Sequence, residues 1–167
     1  TVTFLRNASL MLVNHPEVQR KMQEEIDREI GHRAITMDDQ KRLPFCCAVV
    51  QEVQRVHVLA ALNLTHHTLS EATVGGYKIP AGYDVYPEFQ LVHHDDREFE
   101  RSNDFFPERF ISPDGSFMKD ARVTPFSSGK RSCLGESLAR METFTFLTTF
   151  VQRLTFKPVD VIPPEYV

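Results

Sequence analysis

The sequence predicts a mainly α-helical fold with a small β-sheet, which places it in the α+β class. In the first third of the chain, apolar residues such as Val18, Met22 and Ile26 recur at steps of four, as on one face of a helix. After His57 the period shortens and glycine turns separate short apolar runs, which indicates strands. From Leu134 onward an apolar stripe at helical spacing returns, and it predicts the longest helix of the chain.

Proline and glycine bound the first two helices. The pair His15-Pro16 ends the first helix, and Pro16 also suits the first turn of the second. Ile30 completes the apolar stripe of the second helix, and Gly31 is a candidate C-terminal cap. The charged and amide residues between the apolar positions predict a solvated face; they are Gln23, Glu24, Glu25, Asp27 and Arg28.

Two further helices are predicted before the strands begin. Thr36 and Asp39 have the spacing of a capping box that opens a short helix, which Leu43-Pro44 closes. Residues 45–57 then predict a buried helix, because their apolar side chains fall on one side.

The middle of the chain predicts strands and irregular loops. Residues 62–69 and 73–79 have strand-like composition, and residues 83–86 alternate as the second strand of a hairpin would. Residues 89–93 predict a single helical turn, and residues 97–124 a charged, turn-rich loop.

The long C-terminal helix is predicted to pack against the core. Its apolar stripe consists of Leu138, Met141, Phe144, Leu147, Val151 and Leu154, widened by Phe146 and Phe150. Residues 155–158 predict a closing strand.

Composition excludes several classes of function. Of the 167 residues, 41% are hydrophobic and 25% charged, as in an ordinary globular protein, and a net charge of −4 argues against nucleic-acid binding. The three cysteines form no C-x-x-C pair, which favours a reducing compartment over a disulfide or zinc framework. No apolar run approaches the ~18 residues of a membrane helix, and no signal peptide is visible. The first residue, Thr1, has no capping pattern after it, so we expect the chain to begin inside a helix of a longer protein.

The segment with the most specific chemistry surrounds Cys133. Gly129 and Gly135 flank the cysteine and permit a sharp turn and a close approach to a flat ligand. The following helix would place its positive end near the sulfur, which favours a thiolate that can bind a metal. Phe126 is placed to screen the sulfur from water, and Arg131 to bind an anionic group such as a carboxylate.

Residues 126–135 read F-x-x-G-x-R-x-C-x-G and resemble the haem-binding loop of the cytochrome P450 family. The resemblance implies that the thiolate of Cys133 is the proximal ligand of the iron of haem b, iron protoporphyrin IX. It covers the whole chain in order and implies that residues 1–167 form a single partial domain, the C-terminal portion of the fold, ending in the haem-thiolate loop and the long helix. Alternatives for Cys133 are an inert buried cysteine and, with no suitable base in sight, a cysteine nucleophile.

A second pattern lies in the predicted buried helix. Glu52 and Arg55 stand three residues apart and face the same way, which alone predicts only a weak surface ion pair. The resemblance identifies them with the family's E-x-x-R pattern, which an arginine from a P-E-R-F segment joins. Here that arginine is Arg109, and the three residues are predicted to hold the fold together rather than to do chemistry.

The resemblance also implies a second residue that binds a haem propionate, beside Arg131. His66 occupies that position, although the family's preceding proline is replaced by Thr65. His67 is the alternative, one register step away and on the opposite face of a strand. An exposed strand histidine without a ligand is the other interpretation. Lys130 is expected to contact solvent or a redox partner.

The function implied by the resemblance is a monooxygenase that inserts one oxygen atom from O₂ into a small lipophilic substrate. Its implied partner is an NADPH-dependent flavin reductase, and its implied location is the cytosolic face of the endoplasmic reticulum membrane. The family's distal proton-delivery residues would lie upstream, so no catalytic residue is predicted in this chain. Two alternatives stay open, namely a haem-thiolate isomerase or dehydratase and a truncated, non-catalytic fragment without haem.

Overall fold

The computed structural model describes residues 1–158. It is rich in helix, with two small antiparallel sheets, and confirms the α+β class. The α-helices are α1 (Val2–Asn14), α2 (Pro16–Glu29), α3 (Pro44–Val56), α4 (Phe89–His93) and α5 (Glu136–Arg153). Three short 3₁₀ helices cover Met37–Lys41, Pro107–Phe110 and Gly129–Arg131.

The core lies where α1, α2, α3 and α5 meet. The predicted stripe of α2 is confirmed, because Val18, Met22, Ile26 and Ile30 are all buried in it. Gly31 adopts a φ of 65°, and its N–H donates to Ile26 O at 3.0 Å, so it caps the end of α2 as predicted. Helix α3 is the central helix of the fold, because it contacts each of α1, α2, α4 and α5.

Glu25 corrects the prediction of a fully solvated polar face on α2. Its side chain is 5% exposed, and its two carboxylate oxygens accept the backbone N–H groups of Phe45 and Cys46, each at 2.9 Å. These N–H groups lie in the first turn of α3, where no intrahelical acceptor exists and the N-cap residue Leu43 supplies none. Glu25 therefore caps α3 from a neighbouring helix.

The capping box before α3 is confirmed. Thr36 N donates to Asp39 Oδ2 at 2.8 Å, at the start of the 3₁₀ helix Met37–Lys41. Arg33 also donates to both carboxylate oxygens of Asp39. The Arg33 guanidinium holds the pKa of the Asp39 carboxyl well below its usual range.

The strands are shorter than predicted and pair differently. Strand β1 (His66–His67) pairs with β4 (Asp84–Val85), and β2 (Ala72–Val74) pairs with β3 (Tyr77–Ile79), both antiparallel. The predicted single strand at 73–79 is wrong, because Gly75 and Gly76 adopt positive φ and turn the chain into a hairpin. Residues 155–158 form no strand with any described residue.

Helix α5 is the longest helix described, as predicted, but its apolar stripe is only half covered. Phe144, Leu147 and Val151 are buried in the core. The other members of the predicted stripe are exposed, namely Leu138, Met141, Phe146, Phe150 and Leu154. The prediction that nearly all of them pack in the core is therefore wrong for residues 1–158.

Candidate functional site

The cysteine loop connects Phe126 to the start of α5. The chain turns at Ser127 and Gly129, which have φ values of 65° and 71°. The N–H of Cys133 then donates to Phe126 O at 2.9 Å and closes the loop, and Glu136 N donates to Cys133 O at 3.3 Å as α5 begins. The positive φ at Gly129 is the conformation that a glycine was predicted to supply.

Cys133 is the one exposed cysteine of the three, all of which lie in the described part. Burial raises the pKa of the Cys46 thiol well above its ordinary value and that of the Cys47 thiol to about 12, with a further contribution from Glu25. A ligand or a metal from solvent can therefore reach the sulfur of Cys133 and not the other two. The interpretation of Cys133 as an inert buried cysteine is wrong.

The backbone conformation at position 135 does not require a glycine, since the φ of Gly135 is −91°. An added Cβ there would lie 3.9 Å from the sulfur of Cys133, which is ordinary van der Waals contact. The glycine thus leaves one side of the sulfur bare. Leu134, beside it, is fully exposed, so apolar surface adjoins the thiol.

Phe126 lies differently from its predicted position over the sulfur. Its ring is half-buried and packs under the guanidinium of Arg140, 5.0 Å from the ring centroid. Cys133 stays exposed, so Phe126 does not screen the thiol among the residues described. Asn63 donates to Ser127 Oγ at 3.1 Å and ties the loop to the segment after α3.

Two cations precede the cysteine, and neither is paired within the described part of the chain. Lys130 and Arg131 are exposed, and neither makes a hydrogen bond or an ion pair within residues 1–158. Their charges are therefore available to an external anion or a partner.

The two histidines of β1 differ in their contacts. His67 Nδ1 lies 2.9 Å from Asp84 Oδ1 on the paired strand, and both side chains are exposed. His66 is half-buried, and its backbone pairs with Val85, but its imidazole has no hydrogen-bond partner among the described residues. The geometry leaves His66, rather than His67, free to bind a carboxylate.

The predicted cluster of Glu52, Arg55 and Arg109 is present and buried. Arg55 donates to both oxygens of Glu52 at 2.8 Å, and Arg109 Nε donates to Glu52 Oε1 at 3.2 Å. Glu52 and Arg55 are 0% exposed, and the Phe106 N–H adds a fourth hydrogen bond to Glu52 at 2.9 Å. The ion pair is not the weak surface pair that the spacing alone would give.

The cluster also anchors the irregular segment that follows α4. Arg55 Nη1 donates to the carbonyls of His93 and Ser102 at 2.6 Å each, and Nη2 to that of Asp104 at 3.0 Å. Arg109 donates to the carbonyls of Glu100 and Arg101. The two guanidinium groups thus satisfy backbone acceptors that no regular secondary structure pairs.

His93 is a buried residue that the sequence did not single out. It is 0% exposed, and its Nε2 lies 3.1 Å from Arg122 O and 3.2 Å from the Thr124 nitrogen. Its ring meets Phe99 edge to face. Burial lowers the pKa of His93, and the positive charge of Arg55 adds to the effect. The four consecutive polar residues His93-His94-Asp95-Asp96 are typical of an exposed loop, so no local pattern marks His93 as buried.

Within residues 1–158, no set of three or more His, Cys, Asp or Glu side chains is placed to hold a metal ion. No helix there is both long and apolar enough to cross a bilayer.

Comparison with known proteins supports the resemblance. A family model described as Cytochrome P450 matches residues 1–166. Cytochrome P450 2C2 of Oryctolagus cuniculus is 46% identical over 95% of this chain and 33% of its own length. Cytochrome P450 2C8 of Homo sapiens is 44% identical over 96% of this chain and 33% of its own. Probable cytochrome P450 CYP36A1 of Caenorhabditis elegans is 44% identical over 96% and 34%. The chain spans about a third of the length of these relatives.

Proposed function

Because this chain belongs to the cytochrome P450 family, whose cofactor is haem b, we propose that it is part of a haem-thiolate monooxygenase with Cys133 as the proximal iron ligand. We propose that residues 1–167 are one partial domain, because the chain spans about a third of its relatives' length. That it is the C-terminal portion is what the resemblance of its motifs implies. The observation that carries the proposal is the exposed thiol of Cys133 in a loop closed by its own N–H.

The residues around the thiol fit a flat, largely apolar metal complex that carries carboxylates. Gly135 keeps a Cβ away from the sulfur, and the exposed Leu134 offers apolar surface beside it. Arg131 has no anionic partner among the described residues and suits a propionate, because guanidinium stays charged and binds a carboxylate with two N–H groups. His66 would bind the other propionate, and Phe126 and Gly129 shape the loop.

Haem ligated by thiolate supplies the activation of O₂ from which one oxygen atom is inserted into the substrate. The role of this chain is to hold Cys133, the proposed iron ligand, in place and to stabilise its negative charge. Backbone N–H groups at the start of α5 face the cysteine segment and favour negative charge there. Glu52, Arg55 and Arg109 fix α3 against the segment that leads into the loop.

The substrate class we propose is a small lipophilic molecule, with an NADPH-dependent flavin reductase as electron donor at the cytosolic face of the endoplasmic reticulum. The electron donor and the location are what the family resemblance implies. We assign proton delivery to oxygen to no residue of this chain. We therefore expect no turnover from these 167 residues alone.

The ligand assignment is tested by the absorption spectrum of the ferrous–carbon monoxide form of the haem-loaded protein. Thiolate ligation gives a strongly red-shifted Soret band, so Cys133→Ser should lose that band. Cys47→Ser is the matched control and should keep it, because Cys47 lies within α3 and its side chain is buried. A red-shifted band in Cys133→Ser would show that another group binds the iron.

The propionate assignment is tested with the two adjacent cations. Arg131→Ala should release haem faster to an acceptor such as apomyoglobin, by about tenfold for one lost charge-assisted pair. Lys130→Ala, which removes an equally exposed charge, should leave the rate unchanged. If both substitutions raised the rate of haem release equally, Arg131 would act only through general electrostatic attraction. Consumption of NADPH by the intact protein with its reductase separates a monooxygenase from a haem-thiolate isomerase.

A further inference from the structure

A cleft of about 750 Å³ lies between α3, α5 and the turn at residues 114–117. Its volume falls within the ~300–1,000 Å³ range typical of small-molecule sites. No residue of the cysteine loop, 126–135, lines it, so it is separate from the proposed haem site. Its wall is partly apolar, formed by Pro44, Val50, Phe117 and Phe144.

One side chain in the wall of this cleft lacks a partner. Gln54 is only 6% exposed, yet its amide makes no hydrogen bond within residues 1–158. Gln51, one turn earlier and equally buried, donates to Met118 O at 3.3 Å and accepts from Asp120 N at 3.2 Å. Gln51 thus builds the wall, whereas the unpaired amide of Gln54 stays accessible to whatever fills the cleft, although the residue as a whole is buried.

The amide of Gln54 also borders a void of about 30 Å³ with His57. That volume holds about one water molecule. A side-chain amide has an N–H group that donates and a carbonyl oxygen that accepts. When one of them hydrogen-bonds a water in the void, the other is available to a ligand in the cleft.

The free charge at the rim of the cleft is positive. Lys41 and Lys119 line it, and neither makes an ion pair with a described residue. Arg140 and Asp114 are the other charged residues of the lining; Asp114 keeps its negative charge, so the unpaired lysines exceed it by one positive charge. Arg140 Nε donates to Glu136 at 2.8 Å, and Asp114 accepts hydrogen bonds from Ser112 and Ser116 within its own turn.

We propose that this cleft binds an amphipathic monocarboxylate, a medium-chain fatty acid or a molecule like it, at a site distinct from haem. The carboxylate pairs with Lys41 and Lys119, the chain covers the apolar wall, and the Gln54 amide donates to a carboxylate oxygen. Binding is non-covalent, since burial raises the pKa of the only thiol in the lining, Cys47, to about 12 and leaves it protonated at neutral pH.

The test uses the full-length haem-loaded protein with its substrate cavity blocked by an azole that binds the haem iron. Equilibrium dialysis with decanoate, below its micelle concentration, should then show one equivalent bound. The double variant Lys41→Ala/Lys119→Ala should bind about tenfold or more weakly. Lys157→Ala, another exposed lysine outside the cleft, should bind as the parent does. Decanol, which has the same chain without the charge, should bind at least about tenfold more weakly than decanoate.

Two more variants address the wall. Gln54→Leu should weaken decanoate binding, and Val50→Trp should block it by filling the cleft. The lysine variants alter only exposed side chains, so they remain informative if either wall variant misfolds. The proposal is overturned if the double lysine variant or decanol binds as well as the reference, or if the azole abolishes binding, which would place decanoate at the haem. Competition by phosphatidylserine vesicles would assign the cleft to a lipid headgroup instead.

Discussion

Glu52 and Arg55 share two hydrogen bonds of 2.8 Å from positions three residues apart on α3, and neither side chain has any exposure to solvent. A buried ion pair is stable only when every charge in it is compensated. Here Arg109 and the N–H of Phe106 take up the remaining capacity of Glu52. The cluster is therefore complete, and removing one member strands the others.

Glu52→Gln is expected to lower the free energy of unfolding by about 3–5 kcal/mol, because two guanidinium groups lose their shared counter-charge in a buried site. Urea denaturation of the haem-loaded protein measures this difference. The matched control is Glu24→Gln, which breaks an exposed pair with Arg20 on α2 and should change stability by less than about 0.5 kcal/mol. Similar values for both variants would mean that the cluster contributes no more than a surface pair.

Glu25→Ala is expected to lower the free energy of unfolding by about 2 kcal/mol, since it leaves the N–H groups of Phe45 and Cys46 without acceptors at the start of α3. Asp27→Ala removes an exposed carboxylate from the same helix and serves as the control. Thermal denaturation compares the two. If they lose the same stability, the capping role of Glu25 is wrong.

Gly129→Ala and Gly135→Ala should behave differently, although the two glycines flank the same cysteine. A side chain at Gly129 must adopt a φ of 71°, which costs about 1–2 kcal/mol. Gly135 has a φ of −91°, and an added Cβ there makes only ordinary contact with the sulfur, so we expect a change in stability near zero. Urea denaturation of the two variants checks this order, and a reversed order contradicts it.

His93 should make stability depend on pH between neutral and mildly acidic conditions. Burial, with the charges of Arg55 and His94, holds the pKa of His93 below 6.5, so the folded protein binds its proton less readily than the unfolded chain. The contribution of His93 to the free energy of unfolding is fully present above pH ~6.5. It is lost as pH falls toward the lower pKa of the folded state, at up to about 1.4 kcal/mol per pH unit.

The check is the free energy of unfolding of the parent and of His93→Gln measured from about pH 5 to about pH 8. Replacing the histidine should flatten part of the slope below pH ~6.5. His32→Gln, which removes an exposed histidine, should leave the slope unchanged. His57 also has a lowered pKa, mainly through burial, so some slope should persist in His93→Gln. An identical slope in parent and variant contradicts the assignment.

The sequence predicted those features that local spacing or a short motif encodes. The stripe from Val18 to Ile30 is regular enough to define its buried face, and the C-terminal cap at Gly31 follows from one residue type. The partnership of Glu52 with Arg109 spans 57 positions and could be inferred only from family resemblance. The spacing of the motif says nothing about the carbonyls that Arg55 also binds.

Other features depend on contacts that no local pattern encodes. Glu25 looked solvated because its neighbours along α2 are charged, and only the position of α3 makes it a cap. Leu138 and Phe146 have the spacing of core residues, yet are exposed in the described part. Hydrophobic spacing identifies a face that will be covered, but it does not say which segment covers it.

Arg55 and Arg109 hold the stretch between α4 and the 3₁₀ helix Pro107–Phe110 almost entirely through its carbonyl oxygens. A carbonyl is present at every position of a polypeptide, whatever side chain stands there. Substitutions at the exposed positions of residues 97–104, which are all but Phe99 and Ser102, can therefore accumulate without releasing the stretch, provided that its backbone path is kept. Variation is restricted at these two buried side chains and at the two arginines, so the freedom of the loop to diverge is set largely from outside the loop.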